Sequence, residues 1–291
     1  YLNLLIIYMK EILMTDKIRA KNLSKDFGKF KLGPNDFSIK RGFVTGFIGK
    51  NGMGKTTTIK ALLSLINYDG EIFLDDKKIE DLDYLQDVGL VMDDSFLGKD
   101  WTLDLVNDAM AVGYDRWDED LFYAYLDKFK LDRDKKVEDL SRGMKIKLML
   151  AVALSHDAKI LILDEPTSGL DPAMRDELVD IILDFMENPN HTVIFSTHIT
   201  QDLDRIADYI VFIDEGKIVF EGLKDELYNK FLLIKGGLDD YDSIKNLEIL
   251  GKKMSKVNFE ALVLREDYIE NESLIAEVPS IDQIMIYYGR I

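Results

Sequence analysis

The chain of 291 residues contains no cysteine and has a marked deficit of positive charge. Without cysteine it forms no disulfides and no cysteine-ligated metal sites, and this composition fits a reducing compartment. With 37 Lys and Arg against 54 Asp and Glu, the formal net charge is -17. Because a protein that neutralises phosphates needs a surplus of cations where the duplex sits, this charge argues against nucleic acid as a partner.

Long hydrophobic runs are also missing. The apolar stretch at residues 1–9 is far shorter than the roughly 20 residues of a membrane-spanning helix, and it lacks the basic leading region and cleavage site of a signal peptide. We interpret residues 1–15 as an N-terminal extension, with Met9 or Met14 nearer the natural start. A segment that docks on a membrane surface or a partner is the alternative. We expect any connection to a membrane to run through another protein.

The most informative segment that is present is GKNGMGKT at residues 49–56, which fills every fixed position of the phosphate-binding pattern G-x-x-x-x-G-K-[ST]. A β-prone apolar run precedes it at residues 43–48, and a helical pattern follows at residues 57–66. Glycines let successive backbone N–H groups point at phosphate oxygens. We expect Lys55 to reach the β- and γ-phosphates and Thr56 to ligate Mg²⁺. The flanking strand and helix disfavour the alternative, a glycine turn that binds nothing.

Two acids end a second apolar run at residues 159–165. A buried parallel strand delivers such carboxylates to its C-terminal edge, where Asp164 is suited to hold Mg²⁺ through water and Glu165 to polarise an attacking water. An ordinary acidic turn is the alternative. His198 follows a third apolar strand, residues 192–197, which would place it beside the γ-phosphate; a structural histidine is the alternative there.

Two shorter motifs flank the acidic pair. Residues 140–144 (LSRGM) precede a helical pattern, in which Ser141 suits an N-cap and Gly143 allows a phosphate to approach the helix start. Residues 168–171 (SGLD) follow the pair. Either motif alone would be a weak signal.

With these motifs in this order, residues 16–230 resemble the ATP-binding subunits of ABC transporters. The resemblance implies an α/β P-loop NTPase fold, in which a RecA-like core carries an antiparallel β-subdomain and a helical signature subdomain at about residues 95–156. It implies ATP and Mg²⁺ as ligands. It also implies a dimer, with an identical or a different second subunit, that encloses two ATP molecules. This dimer would act on integral membrane permease subunits from the cytoplasmic face of the membrane.

The resemblance also assigns roles to individual residues. Phe27 would stack on adenine, with Phe30 as the competing aromatic. Ser141 and Gly143 would form the signature that caps the ATP bound by the partner subunit. The catalytic residues would be Lys55, Glu165 and His198. Asp171 would lie at the contact between subunits. The phosphate loop would comprise Asn51, Gly52, Met53, Gly54, Lys55, Thr56 and Thr57.

Some positions depart from the family pattern. Family members carry glutamine after a strand such as residues 88–92, and this chain has Asp93. Asp93 could ligate Mg²⁺, but it would bring negative charge close to the γ-phosphate. We therefore predict that hydrolysis depends more on Mg²⁺ concentration here than in relatives with glutamine. Arg142 and Met144 replace the usual glycine and glutamine of the signature; we expect Arg142 to face solvent, and a phosphate contact is the alternative.

The coarse organisation follows from the same patterns. Residues 17–79 predict antiparallel strands around the phosphate loop, residues 102–155 are dominated by helical periodicity, and residues 209–220 predict a hairpin. After residue 230 the motifs stop, and residues 231–291 predict a small α+β extension that packs on the main domain. Binding of a regulator and a role in dimerisation are the alternatives for this extension.

The function that the resemblance favours is a transport ATPase that exports peptides or amphipathic compounds, with phenol-soluble modulins as the favoured example. A non-transport ABC ATPase that acts on ribosomes or DNA is the alternative, although the acidic charge and the single cassette argue against it. A small-molecule kinase is the third candidate. It is disfavoured because it would need neither residues 140–143 nor residues 168–171.

Overall fold

The computed structural model describes residues 15–92 and 95–290. Asp93, the predicted metal ligand, and most of the predicted N-terminal extension lie outside the described residues. Three β-sheets and the helices that cover them make up the described part of the chain.

The first sheet is antiparallel and has the strand order β2-β1-β4-β5. Its strands are β1 (Asp16–Asp26), β2 (Lys31–Lys40), β4 (Asp69–Leu74) and β5 (Lys77–Lys78). Apolar residues of β1 and β2, among them Leu23 and Phe37, are buried on the face that meets the central sheet's core. This sheet is the antiparallel subdomain that the sequence predicts beside the phosphate loop.

The central sheet has six strands in the order β10-β9-β3-β8-β7-β6. These strands are β3 (Val44–Ile48), β6 (Val88–Val91), β7 (Ile160–Asp164), β8 (Thr192–Thr197), β9 (Tyr209–Asp214) and β10 (Lys217–Leu223). All neighbours run parallel except β9 and β10, which form the predicted hairpin. β3, β7 and β8 are buried along their whole length, as parallel strands covered on both faces must be. Their carboxyl ends therefore meet at one edge of the sheet.

Helices cover both faces of this sheet. They are α1 (Lys55–Leu62), α2 (Leu103–Gly113), α3 (Glu119–Phe129), α4 (Arg142–Leu154), α5 (Pro172–Phe185), α6 (Thr200–Ile206) and α7 (Lys224–Lys230). Thr102, Asp118 and Ser141 each cap one of the helices α2, α3 and α4 by accepting a backbone N–H with the side-chain oxygen. Among the helices described, none has the length and apolar composition needed to cross a bilayer.

The C-terminal part is an α+β unit, as predicted. Its antiparallel sheet has the order β12-β13-β11-β14, and its strands and helix are β11 (Phe231–Gly237), β12 (Ile249–Met254), β13 (Asn258–Leu264), β14 (Ile275–Glu277) and α8 (Ile281–Tyr287). Side chains of β11 alternate between two cores: Phe231 and Leu233 join the main cluster with Phe212, whereas Leu232 and Ile234 build a small cluster on the other face. The main core thus continues across residue 230.

Candidate active site

The loop between β3 and α1 has the tight geometry that its glycines allow. A Cβ on Gly49 would lie 2.4 Å from the carbonyl oxygen of Ile213, so no larger residue fits there. Gly52 has a φ of +81°, in the left-handed region that favours glycine. Helix α1 begins at Lys55, directly after this loop. The backbone N–H groups of the loop and of the first helical turn therefore lie together, as an anion site requires.

The Lys55 amine lies at the centre of the site. Its Nζ donates to the carbonyl oxygens of Gly49 at 2.7 Å and Lys50 at 3.3 Å, and it lies 3.2 Å from Oε1 of Glu165. The Lys55 side chain is only 5% exposed. This buried cation therefore connects the loop after β3 with the residue after β7.

Glu165 is held from two sides. Its Oε2 lies 2.5 Å from His198 Nδ1, and it also accepts the His198 backbone N–H at 3.3 Å. The backbone N–H of Glu165 donates to the carbonyl oxygen of Ser196 at 3.0 Å. The residue adopts a φ of +52°, which costs a non-glycine residue about 1–2 kcal/mol. Such strain concentrates at functional sites, where it fixes the direction of a side chain.

Asp164 ends β7 and is 2% exposed. The Ser196 hydroxyl of β8 donates to its Oδ1 at 2.5 Å and also accepts the backbone N–H of Glu165 at 3.3 Å. Ser196 thereby contacts the carboxylate of Asp164 and the backbone of Glu165, which the sequence did not predict. Its position two residues before His198, on the strand next to β7, is the sequence signal that would have pointed to it.

Thr56 and Asp164 are the predicted Mg²⁺ ligands that lie within the described residues. Across residues 15–92 and 95–290, no group of three or more His, Cys, Asp or Glu side chains is arranged to hold a metal ion. Mg²⁺ in nucleotide sites is usually bound by one or two protein oxygens together with water and substrate phosphates. The hydroxyl of Thr56 and the carboxylate of Asp164 are oxygen donors of this kind, so these residues fit the ion.

A cavity of about 380 Å³ opens over the loop and the three strand ends. Its lining residues are Phe30, Asn51, Gly52, Gly54, Lys55, Thr56, Thr57, Glu165, Ser168 and His198. The structure therefore brings together most of the residues assigned to phosphate binding and catalysis. Met53 is not among the lining residues; its sulfur accepts the backbone N–H of Glu215 instead. Ser168 was not assigned a role within this cavity.

The two candidate adenine-binding aromatics occupy different positions. Phe30 lines the cavity, and a Cβ on Gly54 would lie 3.1 Å from its ring. Phe27 is 50% exposed outside the lining, with its ring centroid 6.4 Å from that of Phe30. The assignment of adenine stacking to Phe27 stays a prediction, and the geometry of the free subunit favours Phe30.

The signature residues and Asp171 lie outside the cavity. Ser141 and Asp171 each cap a helix, accepting the backbone N–H of Met144 at 3.3 Å and of Met174 at 3.0 Å respectively. Gly143 packs beside Met174, and the exposed Arg142 lies next to Gly169. Ser141, Gly143 and Asp171 thus lie outside the cavity of their own subunit, whereas Ser168, which belongs to the same motif as Asp171, lines it.

Comparison with known proteins agrees with this arrangement. Residues 32–168 match the ABC transporter family. The lantibiotic transport ATP-binding protein SrtF of Streptococcus pyogenes is 34% identical over 232 residues, which are 75% of this chain and 98% of that protein. The bacitracin transport ATP-binding protein BcrA of Bacillus licheniformis is 32% identical over 220 residues, 72% of this chain and 70% of that protein.

Solved structures give the same result. The ATP-binding subunit of an ABC transporter superposes with a TM-score of 0.66 at 26% identity, over 73% of this chain and 92% of that chain. CbiO1 from Clostridium perfringens, part of the ABC transporter complex cbiONQ, superposes with a TM-score of 0.61 at 26% identity. The superposition covers 73% of this chain and 90% of that chain. The chain therefore belongs to the ATP-binding subunits of ABC transporters, a family of ATP-hydrolysing transport ATPases.

Proposed function

We propose that this chain hydrolyses ATP with Glu165 as the base, Lys55 as the phosphate ligand and His198 as the γ-phosphate contact. The observation that carries the proposal is the convergence of these three side chains in one cavity, although Lys55 begins the helix after β3, Glu165 follows β7 and His198 follows β8. Phosphoryl transfer depends mainly on positioning and on charge stabilisation, and both are supplied by this arrangement.

The contacts of Lys55 define the first step. In this structure its amine is shared between the loop carbonyls and Glu165. A γ-phosphate at the loop would compete for this amine and release one oxygen of Glu165. That carboxylate can then accept the proton of the attacking water, while the bond between the γ-phosphorus and the bridging oxygen breaks and ADP leaves. His198 stays bound to the other carboxylate oxygen and holds the base in place.

Mg²⁺ would be held by Thr56 and Asp164, and Asp93 remains a third candidate from the sequence. When bound, the ion neutralises charge on the phosphates. The Ser196 hydroxyl holds the Asp164 carboxylate by donating to Oδ1. The remaining ligands would come from water and from the phosphates of ATP.

We further propose that a second subunit completes the site. Ser141, Gly143 and Asp171 all lie outside the cavity of their own subunit, and Ser141 and Asp171 are exposed. A helix N-terminus with an exposed cap is suited to receive phosphate. The signature surface of one subunit would thus face the phosphate loop of the other in a head-to-tail dimer.

The partners of this dimer would be integral membrane permease subunits, at the cytoplasmic face of the membrane. The relatives compared above are named as transport proteins for a lantibiotic and for bacitracin. This favours transport, with peptides or amphipathic compounds as the exported class, over an action on ribosomes or DNA. Co-purification from the native cell tests the choice: a polytopic membrane protein supports transport, whereas ribosomes or DNA would contradict it.

Nucleotide-dependent dimerisation tests the site. With ATP and Mg²⁺, Glu165→Gln should elute as a dimer in size-exclusion chromatography, because ATP is bound and not consumed. Adding Ser141→Arg to this variant should abolish the dimer while each subunit still binds ATP. Thr102→Arg in the same background is the matched control, since it removes an N-cap from another helix of the same region. Loss of dimer with both arginine variants would contradict the proposed surface.

A further inference from the structure

The end of the C-terminal unit contacts the phosphate-binding loop. The Lys50 amine donates to the backbone carbonyl oxygen of Tyr288 at 2.8 Å, across 238 residues of sequence. Lys50 is the second residue of the glycine-rich segment, and Tyr288 directly follows α8. Neither the segment's pattern nor the composition of the C-terminal unit predicts this contact.

Lys50 is also tied to the centre of the active site. Its carbonyl oxygen accepts the Lys55 amine at 3.3 Å and the backbone N–H of Met53 at 3.3 Å. The side chain of Lys50 therefore contacts the C-terminal unit, while its backbone contacts the lysine that faces Glu165. Lys50 is thus the one residue that links the Tyr288 carbonyl to the Lys55 amine through these hydrogen bonds.

The Tyr288 carbonyl is itself held in place. The ring of Tyr288 packs edge-on against the buried Phe212, with centroids 5.2 Å apart. The following residues extend the C-terminal sheet: the Gly289 N–H donates to the carbonyl of Leu250 at 3.0 Å, and the Arg290 carbonyl accepts the Lys252 N–H at 2.7 Å. A ring contact and two backbone hydrogen bonds thus fix the acceptor.

An acidic group, Asp214, also lies near Lys50. Burial raises the pKa of the Asp214 carboxyl, and the nearby charge of Lys50 opposes that rise, while Glu215 adds to it. A Cβ on Gly289 would lie 3.2 Å from an Asp214 oxygen, so this carboxylate borders the same contact. The Lys50 amine is half-buried between a carbonyl and an acid, which favours a charge-assisted hydrogen bond.

We propose that residues 287–290 position the phosphate-binding loop through Lys50, so that the C-terminal unit sets the affinity of the site for ATP. Lys50 and Tyr288 are positioning residues; the inference rests on the proposed nucleotide site. A loop that is already ordered loses less conformational entropy when a ligand binds. Releasing Lys50 should therefore raise KM and Kd for ATP and leave kcat nearly unchanged.

The experiment is a double-mutant cycle in the full-length chain. Lys50→Met removes the donor, and Tyr288→Ala removes the ring contact that holds the acceptor. Lys50→Arg restores a donor, and Lys256→Met, at an exposed lysine of the C-terminal unit, is the control. Each protein is measured for ATP affinity by calorimetry, for steady-state hydrolysis, and for melting temperature without nucleotide.

Loss of a hydrogen bond made by a charged group should raise Kd and KM about five- to tenfold in Lys50→Met and in Tyr288→Ala. The double variant should resemble either single variant, because both remove the same contact. Lys50→Arg and Lys256→Met should remain near the wild type. If Tyr288→Ala fails to fold, the comparison of Lys50→Met with Lys50→Arg tests the proposal instead, because only Lys50→Met should raise Kd and KM for ATP.

Two results would overturn the inference. An unchanged ATP affinity in Lys50→Met would show that the contact does not position the loop. An equal loss from Lys50→Met in the wild-type and in the Tyr288→Ala background would show that Lys50 binds the nucleotide directly. Failure of the proposed function is distinguishable, because the wild type itself would then bind ATP no better than Lys55→Ala.

Discussion

Lys55 and Glu165 face each other across the nucleotide cavity, with the amine nitrogen 3.2 Å from carboxylate Oε1. Both side chains are largely shielded from water, at 5% and 15% exposure. In such an environment each charge needs a partner, and the two residues supply one for each other. The residues proposed as phosphate ligand and base are therefore paired with each other in this structure.

Glu165→Gln should stop hydrolysis and keep ATP bound. The amide has nearly the same shape, but it cannot accept the proton of the attacking water. We expect turnover to fall by roughly 10²- to 10⁴-fold, while Kd for ATP stays the same or decreases because Lys55 no longer faces a carboxylate. Phosphate release and calorimetry measure the two effects. Glu187→Gln, at an exposed glutamate, should behave as the wild type; undiminished hydrolysis in Glu165→Gln would refute the assigned base.

Gly52→Ala and Gly113→Ala form a matched pair. At both glycines an added Cβ would meet nothing within 4 Å, but only Gly52 has a left-handed backbone, with φ of +81°. Gly52→Ala should therefore lower the free energy of unfolding by about 1–2 kcal/mol and weaken ATP binding, whereas Gly113→Ala should be neutral or slightly stabilising. Chemical denaturation and ATP titration provide the measurement. Equal effects at the two sites would mean that backbone conformation is not the cause.

The burial of His156 predicts that the folded protein becomes less stable in acid. It is buried, with Nδ1 2.9 Å from the carbonyl oxygen of Val152 and Nε2 3.1 Å from that of Val88. Burial lowers the pKa of His156 below its usual 6.5, and the charge of Arg116 adds to this, while the two carbonyls oppose it. Below about pH 6.5 the unfolded chain binds a proton that the folded protein does not, so stability falls as pH decreases.

The variant that checks this expectation is His156→Gln. It should be less stable than the wild type at pH 7.5, because a buried ring is replaced. Its melting temperature should, however, decline less steeply between pH 7 and pH 5. An identical slope in the two proteins would show that His156 does not contribute to the acid sensitivity.

Asp93→Gln tests the departure from the family pattern. Replacing this acid by the usual amide removes a negative charge from the neighbourhood expected for the γ-phosphate. The variant should reach half-maximal hydrolysis at a lower Mg²⁺ concentration than the wild type. Asp94→Gln, at the next residue, is the control. If Asp93→Gln changes neither the rate nor its Mg²⁺ dependence, the idea is wrong.

Much of the fold was predictable because its signals are local. The buried strands appear in the sequence as apolar runs, and helix starts carry capping residues such as Ser141. The hairpin of β9 and β10 turns at Glu215 and Gly216. Motif order then predicted the family, which the comparisons confirmed. The domain boundaries and the roles of all the individual site residues stay predictions.

The sequence by itself determined the family, because a glycine-rich loop and acids at strand ends have few other uses in combination. Only the tertiary structure decided that Ser196 contacts both Asp164 and Glu165, that Phe30 and not Phe27 lines the cavity, and that Tyr288 contacts Lys50. Each of these depends on which strands are neighbours and on how the C-terminal sheet packs. Such contacts join distant parts of the chain through burial and backbone geometry, which leave no local pattern to read.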